Sequence, residues 1–176
     1  MKKIAFLTLS FLLAVSFWNC EKDDICAEGT PVTPRLIIEF YDAANPTVLK
    51  NVTNLRVQGL GAANALVFNE NLLETNPERF LTNANKIAIP LKTFANISEF
   101  DFILNSGDVS ENSDAITFTY DKDDIYISRA CGYKTIFSLT DNNPNIFPVA
   151  DYWIQNIVVM EPNIINENET HIKIYF

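Results

Sequence analysis

An all-β chain folded as a two-sheet β-sandwich is what this sequence predicts, and three observations carry the prediction. Short runs of alternating apolar and polar residues recur along the chain. Clusters of turn-forming residues separate them. Aromatic bulk falls on alternate positions, as at Phe100 and Phe102 or Phe118 and Tyr120, which places it on one face of a strand.

In chain order, Gly29-Thr30-Pro31 and Thr33-Pro34 make a turn-rich lead-in, and Leu36, Ile38 and Phe40 then alternate with Arg35 and Glu39. Period two with one polar face is the mark of a half-buried strand. The pattern returns at Leu55 and Val57, at Ile87 and Ile89, at Phe100 to Leu104, and at Ile116 to Tyr120. Ile125 and Ile127 lead towards Cys131, followed by Tyr133 to Leu139, Trp153 to Met160, and His171 to Phe176. The breaks between them are Asn45-Pro46, Gly59 and Gly61, Asn105 to Asp108, Asp121 to Asp124, and Asp141 to Pro144. Tyr120 and Ile125 are expected to flank a tight hairpin. Asn69 to Ala84 lacks alternation and is expected to be a short helix or an ordered loop covering a sheet end. About eight or nine such strands, half-apolar where parallel strands would be apolar throughout, imply two antiparallel sheets packed face to face in an immunoglobulin-like sandwich.

The first residues speak of address. Lys2 and Lys3 precede an apolar run from Ile4 to Val15 broken only by Thr8 and Ser10, which is the pattern of an export signal. The run is about a dozen residues where a membrane span needs roughly 20. The expected organisation is therefore a lipoprotein signal peptide over 1–19, an anchor and tether over 20–33, and one β-sandwich domain over 34–176. Loss of the leader removes two lysines and no acid, which deepens the net charge from −9 to −11. Such a surface repels phosphate backbones, so nucleic acid is not expected as a partner. Five glycines and no glycine-rich phosphate loop leave nucleotide cofactors unimplied, and no cofactor is expected.

Three cysteines are an odd number for an oxidising compartment. If Cys20 carries lipid, Cys26 and Cys131 remain as a candidate disulfide pair, 105 positions apart, or as two buried thiols. Phe17-Trp18-Asn19-Cys20 stands where a lipoprotein leader is cut, although Asn19 occupies the place where a small residue is usual. Glu21-Lys22-Asp23-Asp24 follows as a charged spacer. Cys-x-Lys-Asp-Asp resembles the export signal of Bacteroidetes lipoproteins carried to the outer face of the outer membrane. Asn19 to Gly29 (NCEKDDICAEG), followed by PRLIIEFYD, resembles an uncharacterised family of small flavobacterial lipoproteins. That resemblance implies an envelope address and a lipid anchor on Cys20, and no activity.

Reactive chemistry is hard to find. The lone histidine, His171, stands beside Thr170 in the last strand with no recognisable nucleophile, and reads as a packing or surface residue. Asp121, Asp123 and Asp124, with Asp101, Asp108, Glu111 and Asp114, offer oxygen ligands for calcium at a sandwich edge, but their spacing is not that of an EF-hand and Lys122 sits among them. The sequons at Asn51, Asn96 and Asn168 carry no meaning in a bacterial envelope. The last residues, Ile172 to Phe176, are similar to the closing strand of an outer-membrane barrel, yet most runs are too short and too charged for one. The expectation is a noncatalytic binding or structural module, held to the membrane by lipid on Cys20 and meeting an envelope protein or extracellular glycan through the loops Gly59 to Ala65, Asn105 to Asp114 and Asp141 to Pro148. The alternatives are a carboxylate-dependent hydrolase whose acids converge only in three dimensions, and a calcium-dependent adhesion module.

Overall fold

The computed structural model describes residues 25–30, 32–140, 144–147 and 151–176. The leader, Cys20, the Glu21–Asp24 spacer and much of the loop 141–148 lie outside the described residues. The strands are β1 (Leu36–Tyr41), β2 (Arg56–Gly59), β3 (Lys86–Ile89), β4 (Ile97–Leu104), β5 (Asn112–Ser128), β6 (Gly132–Leu139), β7 (Asn145–Phe147), β8 (Asn156–Val159), β9 (Asn163–Ile164) and β10 (Ile172–Tyr175). Among the described residues there is no α-helix, only one 3₁₀ turn at Pro77–Phe80 within the segment that lacks alternation.

The strands form two open sheets, one in the order β3-β1-β10-β8 and one in the order β2-β4-β5-β6-β9, with β7 also paired to β5. All-β architecture in two unclosed sheets is the fold the alternation predicts. One pairing departs from the antiparallel expectation: β1 and β10 run parallel, Ile38 opposite Ile172 and Phe40 opposite Ile174. Both strands alternate as antiparallel strands do, because each has one face in the core and one outside, so the period carries no sign of the partner's direction. The C-terminal strand thus lies inside a sheet, between β1 and β8, and closes no barrel.

Two compact units divide the chain. The larger, Pro31–Ile125 with Lys134–Phe176, holds the core: Leu36, Ile38 and Phe40 from β1 and Ile172 and Ile174 from β10 meet Phe100, Phe102, Ile116 and Phe118 from the second sheet, all 5% exposed or less. Each such side chain taken from water contributes about 1.5–3 kcal/mol. Phe40, Trp153 and Phe176 form an aromatic trio, with Trp153 and Phe176 edge to face at 5.4 Å. Tyr120 meets Phe137 in the same way at 5.2 Å.

The smaller unit, Met1–Thr30 with Tyr126–Tyr133, is described over 25–30 and 126–133. It contains the turn of the β5–β6 hairpin, at Arg129 to Cys131. Ser128 Oγ accepts from the Cys131 amide at 3.0 Å, and Gly132 follows at φ 68°, a left-handed conformation that glycine adopts without strain. The hairpin expected between Tyr120 and Ile125 is therefore eight residues early, and Asp121 to Asp124 lie inside the 17-residue β5. Burial ends at Tyr120 and the next residues are mostly exposed. A ladder of N–H and C=O groups is indifferent to side chains whose faces are both wet, so charge alone did not stop the strand.

Candidate binding surface

The long connection from β2 to β3 passes from one sheet to the other, and side-chain hydrogen bonds to backbone hold it in shape. Asn69 Nδ2 donates to the carbonyls of Glu78 (2.7 Å) and Leu81 (2.9 Å). Arg79 donates to the carbonyls of Glu70 (2.8 Å) and Leu72. Asn76 accepts from the Glu78 amide at 2.9 Å and so caps the 3₁₀ turn, which Pro77 opens with its fixed φ. Leu55 and Thr82 form an isolated antiparallel bridge across the base of the connection.

This ordered loop walls an open groove of about 950 Å³ along β3, whose second edge pairs with no strand among the described residues. Asn54, Asn69, Asn71 and Asn83 contribute amides to its lining, and Arg35, Glu70, Glu78 and Lys86 contribute charge. Arg35 is held by Glu167, with Nε to Oε1 at 2.9 Å and Nη2 to Oε2 at 2.7 Å, and this pairing raises the guanidinium pKa while holding the Glu167 carboxyl below its ordinary value. Lys86 reaches round to Glu39 at 3.2 Å.

Glu39 belongs to the outer face of the four-stranded sheet. There Tyr41 and Tyr175 lie opposite each other in register with ring centroids 5.6 Å apart, and Lys173 Nζ sits 4.6 Å from the centre of the Tyr41 ring. Burial opposes ionisation of Glu39, but hydrogen bonds from Thr170, Lys86 and Tyr41 outweigh it and lower its pKa. An aromatic pair on a sheet face that also carries Glu39, Lys86 and Lys173, and a groove lined by amides and charges, are chemistry suited to a polyhydroxylated ligand: rings offer a flat apolar surface and amides offer both donors and acceptors.

The acids proposed as calcium ligands do not come together. Asp114 is buried in the core, where Oδ2 accepts from the amides of Trp153 (3.0 Å) and Ile154 (2.8 Å) while Oδ1 has no hydrogen-bond partner among the described residues. Burial raises its pKa against the two amides that lower it. Asp108 and Glu111 serve their own loop, Asp108 Oδ1 accepting from the Ser110 amide and hydroxyl and Glu111 from the Gly107 amide at 2.8 Å. Asp124 accepts from the Thr135 hydroxyl at 2.6 Å. Among the described residues no group of three or more His, Cys, Asp or Glu is placed to hold a metal ion.

His171 is a packing residue. It is 1% exposed, its Nδ1 accepts from the Ile37 amide at 2.9 Å, and burial lowers its pKa despite Glu161, Glu169 and Glu167 nearby. Cys26 and Cys131 stand at disulfide distance, 2.10 Å between sulfurs and 4.9 Å between Cα atoms. The groove was missed by sequence reasoning, which favoured three other loops. Its one visible signal was the density of Asn between residues 69 and 83 in a segment without alternation.

The fold and this surface define a small all-β module with a polar groove walled by an ordered loop. The chain belongs to the family of unknown function DUF6452, whose match covers residues 54–176. No curated protein and no solved structure matches it.

Proposed function

We propose that the chain is an exported, lipid-anchored envelope protein of the outer membrane, of flavobacterial lipoprotein type, whose sandwich acts without catalysis by binding an extracellular glycan. The observation that carries the address is the N-terminal sequence, a dibasic start, an apolar run from Ile4 to Val15, and Cys20 with Lys-Asp-Asp beginning two residues on. Several acyl chains on one cysteine hold a domain durably where one would not. The amide-lined groove beside β3 and the Tyr41–Tyr175 pair support a glycan as the ligand. Binding of the mature chain to envelope and extracellular polysaccharides, compared with the Asn71→Ala and Tyr41→Ala/Tyr175→Ala chains, tests the reading. Retention weakened in the variants supports it; retention of an envelope protein and no glycan would replace the ligand with a protein partner. Protease shaving of intact cells reports which side of the outer membrane the domain faces.

A further inference from the structure

The hairpin turn and the first described residues share a feature that the groove does not explain. Ile25 is 84% exposed, Tyr133 68% and Tyr126 55%, and the two tyrosines contact each other edge to face at 5.3 Å. Together with Ala27, Ile127 and Ala130 they belong to a small unit with its own cleft of about 570 Å³ beside the Cys26–Cys131 bridge. Exposed tyrosines and isoleucine with nothing packed over them among the described residues fit a surface that is apolar below and wet above, because a phenol can bury its ring and keep its hydroxyl in water.

Chain length says which surface. Cys26 follows Cys20 by six residues, and the bridge brings the Cα of Cys131 to 4.9 Å from that of Cys26. At the full extension of about 3.6 Å per residue, the hairpin turn can be no more than about 27 Å from the Cα of Cys20. A lipid on Cys20 therefore keeps the turn beside the bilayer. A contact too weak to hold a free protein is effective under such tethering, since effective concentrations for short linkers reach the millimolar range.

We infer that the turn of the β5–β6 hairpin, with Ile25, Tyr126 and Tyr133, rests in the interface of the membrane that holds the lipid, so that the disulfide adds a second point of attachment to the lipid on Cys20. The inference rests on the acylation of Cys20 proposed above. Neutral headgroups suit this surface, because residues 20–30 and 126–133 carry four acids, Glu21, Asp23, Asp24 and Glu28, against Lys22 and Arg129, and anionic lipid would repel the excess.

The test uses the full chain, processed in its host, carrying Tyr126→Trp and reconstituted in phosphatidylcholine–phosphatidylethanolamine vesicles with brominated acyl chains. Mass spectrometry is run first. With acylated protein, quenching of the introduced tryptophan by about half relative to unbrominated vesicles is expected, as for an interfacial aromatic residue. Ile25→Asp/Tyr133→Asp should abolish that quenching while the protein stays vesicle-bound. Acylated, vesicle-bound protein without quenching overturns the docking and leaves the anchor standing. Protein without acyl groups overturns both. Absence of quenching together with protection of Tyr133 from iodination on intact cells would give the cleft to a protein partner and overturn the lipid surface.

Discussion

Asp114 is the residue whose replacement separates the account of this fold most sharply from a generic one. Its Oδ2 takes the amides of Trp153 and Ile154, both of which are buried and belong to an irregular stretch before β8. Asp114→Ala leaves two buried donors without an acceptor, each costing about 1–3 kcal/mol. Relief of a buried carboxylate whose pKa is raised offsets part of this, so the net loss is about 2–4 kcal/mol, or roughly 5–15 °C in Tm for a domain of this size. Asp114→Asn keeps an oxygen for both amides and should lose no more than about 1 kcal/mol. The pH dependence has a definite sign. With the folded pKa above 3.8, the native protein holds a proton in a window where the unfolded chain has lost it, so this group's contribution falls as pH rises from 3.8 through the folded value. Wild type should therefore gain on Asp114→Asn as pH is lowered through that window. Urea unfolding followed by tryptophan fluorescence at several pH values measures both effects. An Asp114→Ala chain within 1 °C of wild type, judged against the roughly 2–4 °C expected per kcal/mol, would refute the reasoning.

Other outcomes follow from the same geometry. His171, with its pKa lowered by burial and its Nδ1 accepting from Ile37, contributes stability that is complete above the ordinary value of 6.5 and is lost as pH falls below it; His171→Asn should flatten the slope of urea midpoint against pH there, and an unchanged slope would count against the assignment. Cys26→Ser/Cys131→Ser should lower stability by roughly 2–5 kcal/mol, and reductant should do the same to wild type; a Tm insensitive to reductant contradicts the bridge. Tyr120 links the Ser98 hydroxyl (2.7 Å) and the Lys92 carbonyl (2.9 Å) inside the core. Tyr120→Phe should cost about 1–2 kcal/mol in denaturant unfolding, and a neutral result would mean that the hydroxyl network adds nothing.

Much of the fold is legible in the sequence because one buried face per strand imposes a period of two, and β1 to β6, β8 and β10 all carry it. β7 and β9 span three and two residues, too few for any period to register. The parallel β1–β10 pairing is invisible because a strand's pattern reports which faces are buried and nothing about its neighbour's direction. Asp121 to Asp124 resembled a turn because charge and turn chemistry share residues; beyond Tyr120 the strand leaves the core and charge no longer interrupts it. Asp114 looked like one more surface acid, since a carboxylate that accepts amides from a segment 39 positions away leaves no local trace. The groove depends on an ordered loop meeting a sheet edge, and only the asparagines hinted at it.

The measurement that bears most directly on the central claim is the intact mass of the protein isolated from the membranes of its own host. The account predicts a chain that begins at Cys20, carries acyl groups on that residue, and has no titratable thiol until Cys26 and Cys131 are reduced. A chain still bearing residues 1–19, or one beginning at an unmodified Cys20, would contradict it.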